Sequence, residues 1–229
     1  MTKREWALWF VSIAIAIDGP AGAGKSSLSK EVAKELSFIY VDTGALYRTI
    51  GLAASRKGLK KEDKAEIISM LDVKLSFNDE GTQIVLLNGE DVSSFIRTPE
   101  ASMFASAVSA IPEVRAFLLD LQRNMAKSDN VIMDGRDIGT VVLPDAKIKI
   151  FLTASPEKRA MRRHKENIEK GIDSTYEEVL KDVNQRDYQD SHREIAPLKP
   201  AEDSVLVDTS DYDFEGSKEL LLKVIKERM

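Results

Sequence analysis

The stretch GPAGAGKS, residues 19–26, decides the fold of this 229-residue chain. It matches the pattern G-x4-G-K-[ST] and stands between a segment with strand character and one with helical character. Its glycines let successive backbone N–H groups turn toward a phosphate, Lys25 can reach the β and γ phosphates, and the Ser26 hydroxyl can ligate Mg²⁺. The stretch therefore predicts a P-loop that binds a nucleoside triphosphate, with Ser26 as the protein's metal ligand.

Short apolar runs on either side of the P-loop alternate with helical patterns. Five parallel strands that alternate with helices indicate a doubly wound α/β sheet. We predict strands at residues 12–18, 38–42, 131–134, 148–153 and 205–208, and helices at residues 26–36, 45–55 and 214–227.

Two segments depart from this alternation. Residues 73–92 alternate apolar and polar residues around an Asn-Gly turn, which predicts an antiparallel hairpin or small sheet inserted into the parallel core. Residues 156–193 have a helical pattern and many charges, with a break at Gly171 and a capping box that begins at Ser174 and ends at Glu177. Because this segment has few large apolar residues, we expect it to project from the core.

The composition excludes several classes of protein. The chain is 43% hydrophobic and 31% charged with a net charge of -5, so it lacks the positive excess that a general nucleic-acid binder needs. It has no cysteine and two histidines, which excludes disulfides, thiolate chemistry and the usual zinc ligands. We therefore predict a cytoplasmic protein that does not bind nucleic acid.

An apolar run at residues 6–17 resembles the hydrophobic region of a signal peptide. It is too short to span a bilayer, and it continues directly into the P-loop, which cleavage would destroy. We therefore interpret its second half as the first strand and expect no contact with a membrane. Trp6 and Trp9 are expected to add packing.

Arginines along the chain are candidates for a second phosphate site. A switch GTPase would need an Asn-Lys-x-Asp motif that reads the base, and that motif is absent from the sequence. A kinase whose acceptor is itself a phosphate needs arginines, because their planar forks bind phosphate oxygens bidentately. The candidates are Arg48, Arg97, Arg115, Arg136, Arg186 and Arg193.

Position in the sequence singles out some of these arginines. Arg48 and Arg136 each follow a predicted strand, at the edge where ligands of open α/β sheets bind. Arg186, Asp190 and Arg193 are spaced i, i+4 and i+7 and fall on one helical face. That face belongs either to the same site or to an intrahelical ladder of salt bridges.

Two carboxylates, Asp134 and Asp137, flank Arg136 at the end of the third predicted strand. A pair of carboxylates facing a triphosphate would repel it unless a metal ion or a donor-rich ligand lies between them. The tetrad DGRD at residues 134–137 therefore indicates a ligand site.

Five ordered segments resemble the bacterial cytidylate kinases, and together they span nearly all of residues 13–208. The departures are the longer N-terminus and Thr43, where the family often has serine. The segments are IDGPAGAGKSSLSKEVAKEL, VDTGALYR, IRTPE, DGRDIGTVVLPDAKIKIFLTAS and QRDYQDSHREIAPL.

The resemblance implies the P-loop nucleoside monophosphate kinase fold, which has a five-stranded parallel core, a monophosphate-binding arm and a lid. The hairpin insertion and the charged helical segment fall where the arm and the lid are expected. The implied core is residues 12–42, 128–155 and 197–229, the arm is residues 43–127 with its antiparallel insertion at 73–95, and the lid is residues 156–196.

The resemblance also implies the site residues. Asp134 is placed like the acid that holds a Mg²⁺-bound water, and it joins Lys25, Arg136 and Arg193 as a catalytic residue. The implied ATP site is Gly19, Pro20, Ala21, Gly22, Ala23, Gly24, Lys25, Ser26 and Ser27, with Arg159, Arg162 and Arg163 from the lid. The implied CMP site has Arg48, Arg136 and Arg193 on the phosphate, Tyr47, Arg186 and Asp190 near the ribose, and Ser106, Arg115 and Asp137 on the base, together with Thr43.

The implied reaction is transfer of the γ-phosphoryl group from ATP, bound with Mg²⁺, to CMP or dCMP, giving ADP and CDP or dCDP. We expect a monomer whose partners are these nucleotides. Two alternatives stay open on sequence: a P-loop kinase for UMP, AMP or a small metabolite, and a non-catalytic nucleotide-dependent switch.

Overall fold

A computed structural model describes residues 12–229 apart from residues 61, 70–71 and 79–80. The expected packing of Trp6 and Trp9 lies outside the described residues. The strands in chain order are β1 (Ala14–Asp18), β2 (Ile39–Asp42), β3 (Val73–Phe77), β4 (Gln83–Leu87), β5 (Glu90–Asp91), β6 (Val131–Gly135), β7 (Ile148–Thr153) and β8 (Val205–Asp208). The helices are α1 (Lys25–Leu36), α2 (Thr43–Arg56), α3 (Lys64–Ser69), α4 (Pro99–Ser109), α5 (Pro112–Ser128), α6 (Pro156–Glu169), α7 (Tyr176–His192) and α8 (Phe214–Lys226), and Ile138–Val142 forms a π-helical turn.

A five-stranded parallel sheet in the order β2-β6-β1-β7-β8 forms the core and confirms the predicted architecture. The predicted strands correspond to β1, β2, β6, β7 and β8, although β1 begins two residues later than expected. The register pairs Asp134 with Ile17 and with Asp42, and it pairs Asp18 with Gly135. The carboxyl ends of the three neighbouring strands therefore bring three carboxylates to one edge of the sheet.

The central strand β1 is buried on both faces because helices cover both sides of the sheet. Ile15 and Ile17 pack on one face in a cluster that includes Leu28 of α1 and Leu221 of α8. Ala16 points the other way and packs in a cluster with Val41 of β2, Met133 of β6, and Ile138 and Val142 of the π-helical turn. This burial on both faces explains why the run before the P-loop is apolar without interruption.

The predicted insertion is a small antiparallel sheet in the order β3-β4-β5. Its apolar face, which includes Val85, packs with Leu46 of α2 and Leu118 of α5 in a separate core cluster. Gln83 accepts from the Asp42 backbone N–H at 2.8 Å and donates to the Asp42 carbonyl at 3.2 Å. The side-chain amide of Gln83 thus joins the insertion to the end of the edge strand β2.

The charged segment forms α6 and α7, which pack on each other through a small cluster with Ala160 and Val183. The predicted break at Gly171 is confirmed, because this residue has a φ of 69° in the turn between the two helices. The predicted capping box is wrong by one residue. Thr175 and Glu178 form it reciprocally, whereas the Ser174 hydroxyl accepts from an asparagine of α6.

The P-loop connects β1 to α1 and requires glycine at positions where another residue does not fit. Gly19 has a φ of 151°, and a Cβ there would lie 1.9 Å from the carbonyl oxygen of Leu152. Gly24 has a φ of 85° and caps the N-terminus of α1, so the first free N–H groups of the helix face the loop. Among the described residues, no helix has the length and apolar character needed to cross a membrane.

Candidate active site

A cavity of about 840 Å³ opens at the carboxyl edge of the sheet and is lined by the P-loop and by residues of α2, α4, α6 and α7. Most of the predicted site residues line it. Those residues are Ala21, Gly22, Gly24, Lys25, Ser26, Ser27, Thr43, Tyr47, Arg48, Ser106, Arg115, Asp134, Arg136, Asp137, Arg162, Arg163, Arg186, Asp190 and Arg193. The predicted residues that do not line the cavity are Gly19, Pro20, Ala23 and Arg159.

Lys25 stands at the P-loop end of this cavity. Its ammonium group donates to the carbonyl of Pro20 at 2.8 Å, and the side chain is buried. Burial, followed by the positive charge of Arg136, lowers the pKa of Lys25 to about 7. A polyanion bound in the loop would favour the charged form, so this lysine is suited to a phosphate ligand.

Asp134 lies beside the P-loop and accepts two hydroxyl hydrogen bonds. Ser26 Oγ donates to Oδ2 at 2.8 Å, and the Tyr40 hydroxyl donates to Oδ1 at 3.0 Å. Burial, followed by the negative charge of Asp42, raises the pKa of Asp134 to about 6. A carboxylate and a hydroxyl in contact are the hard oxygen donors that Mg²⁺ prefers.

Asp137 also lines the cavity and lies between two arginines. Arg115 Nη2 donates to Oδ2 of Asp137, and Arg193 Nη2 donates to Oδ1 at 3.3 Å. Arg115 also lies over the ring of Tyr47, with its guanidinium carbon 5.7 Å from the ring centroid. The carboxylate of Asp137 and the guanidinium of Arg115 are buried, so their unused acceptor and donor positions can only be satisfied by a ligand or by water.

Asp190 and Arg186 occupy the cavity wall formed by α7. Arg136 Nε donates to Asp190 Oδ2 at 2.7 Å, and Arg193 follows the last residue of the helix, where it contacts Asp137. The ion pairs of Asp190 with Arg136 and of Arg193 with Asp137 therefore join α7 to the segment after β6 and do not form an intrahelical ladder. Burial alone would raise the pKa of Asp190, but the charge and hydrogen bond of Arg136, together with the charges of Arg186 and Arg193, outweigh burial and lower it.

Further cationic groups, Arg48 and Arg186, line the same cavity. Burial, followed by the charge of Arg136, lowers the pKa of Arg186 to about 10, so Arg186 remains a cation at neutral pH. Arg48 Nη2 donates to Asp42 Oδ2 at 2.6 Å, while its buried Nε has no hydrogen-bond partner. A buried donor without a partner indicates room for an acceptor such as a phosphate oxygen.

Arg159 and Arg162 of α6 differ in what their guanidinium groups bind. Arg159 is 3% exposed and donates to the P-loop carbonyl of Ala21 at 3.0 Å and to both oxygens of Asp187 at 2.9 and 2.5 Å. Arg162 lines the cavity and donates to the carbonyl of Thr209 at 2.6 Å. The contact of Arg159 with ATP stays a prediction, since its donors are bound within the protein here.

Several residues of the site were missed by the sequence analysis. Tyr40 lies within the second strand and Asp42 ends it. Asp42 carries the same signal as Asp134, an acid that closes an apolar run. Tyr212 and Phe214 also line the cavity, at 48% and 47% exposure. They precede and begin α8, and no sequence pattern connects them to the P-loop.

Comparisons with known proteins show the family to which the chain belongs. A family model described as cytidylate kinase matches residues 15–227. The cytidylate kinase of Carboxydothermus hydrogenoformans is 51% identical over 214 residues, which cover 92% of this chain and 96% of that protein. The cytidylate kinase of Caldicellulosiruptor saccharolyticus is 50% identical over 219 residues, which cover 93% of this chain and 94% of that protein.

Among solved structures, an uncharacterized protein from Eubacterium ventriosum shares the fold with a TM-score of 0.54. The two sequences are 12% identical, and the match covers 95% of this chain and 100% of that chain. A likeness at this identity concerns the fold alone.

Proposed function

The chain belongs to the cytidylate kinase family, and we propose that its cavity transfers the γ-phosphoryl group of ATP to CMP or dCMP, giving ADP and CDP or dCDP. The family and the enzyme class predicted from five sequence segments are confirmed. The roles of individual residues, the identity of the metal and the motion of the lid are our proposals.

One observation carries the proposal: the same cavity is lined by P-loop residues and by the Asp137–Arg115 pair. The P-loop offers backbone N–H groups and Lys25 to a triphosphate. The Asp137–Arg115 pair offers a carboxylate acceptor and a guanidinium donor to a base. Ligand pockets span roughly 300–1,000 Å³, so a cavity near the upper end suits a donor and an acceptor nucleotide held together.

The reaction requires no general base on the protein. The acceptor phosphate has a second pKa near 6 and is largely ionised at neutral pH, so its oxygen is already a nucleophile. The protein then has to position the two phosphates in line and neutralise the charge of the transferring group. We assign this work to Lys25 on the donor side and to Arg48, Arg136 and Arg193 on the acceptor side.

The donor set near the P-loop fits Mg²⁺. The Ser26 hydroxyl is the proposed direct ligand, and the Asp134 carboxylate is the proposed partner of a metal-bound water. Among the described residues there is no group of three or more acidic, histidine or cysteine side chains suited to a metal. A Mg²⁺ ion held by one or two protein oxygens, phosphates and water fits such a site, and it would neutralise charge on the β and γ phosphates.

The lid prediction rests on α6 and α7, which pack mainly on each other and carry Arg162, Arg163 and Arg186 into the cavity wall. We propose that these helices close over bound nucleotides and exclude water, so that ATP is transferred to the acceptor and not hydrolysed.

The proposed function is tested by measuring ADP release with a coupled assay at saturating ATP-Mg²⁺ and varied acceptor. We expect CMP and dCMP to accelerate ADP release strongly, and we expect kcat/KM for UMP to be at least about thirtyfold lower than for CMP. Equal use of UMP or AMP would indicate another acceptor. Slow ATP turnover that no monophosphate changes would indicate a nucleotide-dependent switch.

The sugar preference is predicted to depend on Asp190. Asp190→Ala removes an acceptor for ribose hydroxyls and the partner of Arg136, so we expect the KM for the acceptor to rise about tenfold. The ratio of CMP to dCMP use should change, and the KM for ATP should be nearly unaltered. These values are measured by initial rates with both acceptors.

The matched control for this prediction is Asp182→Ala, which removes an exposed carboxylate from the same helix. Asp182→Ala should leave both acceptor constants as in the wild type. If Asp190→Ala behaved like this control, Asp190 would serve only to pair with its neighbouring arginines.

A further inference from the structure

The carboxylate of Asp18 binds two adjacent backbone N–H groups of a neighbouring segment. Ile138 N donates to Oδ1 at 2.7 Å and Gly139 N donates to Oδ2 at 2.7 Å. Asp18 is the last residue of β1 and is 3% exposed. We propose that Asp18 is a positioning residue for base selection, because it fixes the turn that carries Asp137; this inference rests on the proposed function.

The two N–H groups belong to the start of the π-helical turn, where backbone donors have no partner within the helix. Asp137 precedes this turn, and its carbonyl accepts from Val141 N at 2.9 Å and Val142 N at 3.1 Å. An aspartate at this position ordinarily caps its own helix with its side chain. The side chain of Asp137 makes no such bond and binds Arg115 and Arg193 instead.

Asp18 therefore performs the capping that Asp137 does not. Because both N–H groups are buried and need an acceptor, a group other than the Asp137 side chain must accept from them if Asp137 is to face the cavity. Asp18 does so from 120 residues away along the chain. This division of work leaves the Asp137 carboxylate available to a ligand while its backbone stays fixed.

Asp18 does not line the cavity, and both of its oxygens are bound to backbone donors. It is adjacent to Gly19 of the P-loop, so a purely structural role would affect the ATP site at least as strongly as the acceptor site. A role through Asp137 would change mainly the KM for the acceptor and the preference for its base. The two roles are therefore separable by kinetics.

Asp18→Asn keeps the size of the side chain but places an amide donor opposite a backbone donor. We expect the KM for CMP to rise about tenfold, since a buried N–H loses its acceptor, and the preference for CMP over UMP to fall by a similar factor. The KM for ATP should stay within about threefold of the wild-type value. The measurements are initial rates with CMP and UMP at saturating ATP-Mg²⁺, and with ATP at saturating CMP.

The double variant Asp18→Asn with Asp137→Ala makes the test specific. If Asp18 acts through Asp137, the double variant should have the same CMP-to-UMP ratio as Asp137→Ala alone. Asp203→Asn, which changes an exposed aspartate paired with Lys149, is the matched control and should leave all constants unchanged. Should Asp18→Asn fail to fold, Asp18→Ser retains one acceptor in a smaller side chain and is expected to change the ratio in the same direction.

Three results would overturn the inference. They are an unchanged base preference in Asp18→Asn, a KM for ATP that rises as much as the KM for CMP, and a further loss of preference in the double variant. A wild-type protein without any preference for CMP would refute the proposed function itself, and that failure is seen before any variant is made.

Discussion

Replacement of Lys25 by alanine is expected to lower kcat about 100- to 1,000-fold, the scale seen when one preorganised donor to the developing charge is removed. Lys25 is the flexible cation at the P-loop end of the cavity, and its present partner is the carbonyl of Pro20. A neutral carbonyl is readily exchanged for a phosphate oxygen. The backbone of the loop would still bind ATP, so the loss should fall mainly on kcat, measured with CMP at saturating ATP-Mg²⁺.

The fold is expected to survive this change because the lysine is poorly solvated in the protein without ligand. The pKa of Lys25 is lowered to about 7 from an ordinary value near 10.4. Between these two values the unfolded chain binds the proton more tightly than the folded chain, so the lysine reduces stability at neutral pH. Lys25→Met keeps most of the side-chain volume and removes the charge, and its Tm at pH 7 should equal or exceed that of the wild type.

Lys30→Ala, on the exposed side of the same helix, is the matched control and should keep wild-type kcat. A folded Lys25→Ala protein that kept more than about a tenth of wild-type kcat would show that the P-loop lysine does not serve the transferring group.

The parallel core could be predicted from the sequence because its signals are local. Each strand of the core is a short apolar run, and β7 and β8 begin and end where the apolar pattern does. The P-loop glycines and the break at Gly171 reflect backbone conformations that other residues rarely adopt. These features need no knowledge of distant parts of the chain.

Pairings between distant residues could not be predicted in the same way. The i, i+4 spacing of Arg186 and Asp190 is compatible with a bond along the helix, yet Asp190 binds Arg136 at 2.7 Å. Asp18 has the same local pattern as Asp134, an acid at the end of a strand, but it binds backbone N–H groups and lies outside the cavity wall. The strand ends bring such acids to one edge, and only the packing of the following turns decides their partners.

The start of α7 could be predicted from the sequence only to within one residue. Ser174 with Glu177 and Thr175 with Glu178 satisfy the same spacing, so the pattern alone permits two helix starts. Thr175 forms the box, with reciprocal bonds to Glu178 at 3.2 and 2.8 Å. The Ser174 hydroxyl accepts a hydrogen bond of 3.0 Å from the side-chain amide of Asn167 in α6. The sequence does not reveal this contact.

Base selection makes the second large prediction, and it follows from the direction of hydrogen bonding at the acceptor end. Cytosine offers an amine donor at N4 and acceptors at N3 and O2, whereas uracil offers an acceptor at O4 and a donor at N3. An ionised Asp137 can only accept and Arg115 can only donate, so the pair matches cytosine. With UMP the Asp137 carboxylate, 5% exposed, would face a carbonyl oxygen.

We expect Asp137→Ala to lose most of the preference for CMP over UMP, mainly by damaging the use of CMP. An unpaired buried charge costs on the order of 2–4 kcal/mol, so the wild-type preference in kcat/KM should be about thirty- to a thousandfold. Asp137→Asn, which keeps the shape and can both donate and accept, should lose the preference with less damage to packing. Asp120→Ala changes an exposed residue on the helix that carries Arg115, and it should leave the preference for CMP over UMP unchanged. The measurement is kcat/KM for CMP and UMP in each protein at saturating ATP-Mg²⁺, and full selectivity in both Asp137 variants would mean that another residue reads the base.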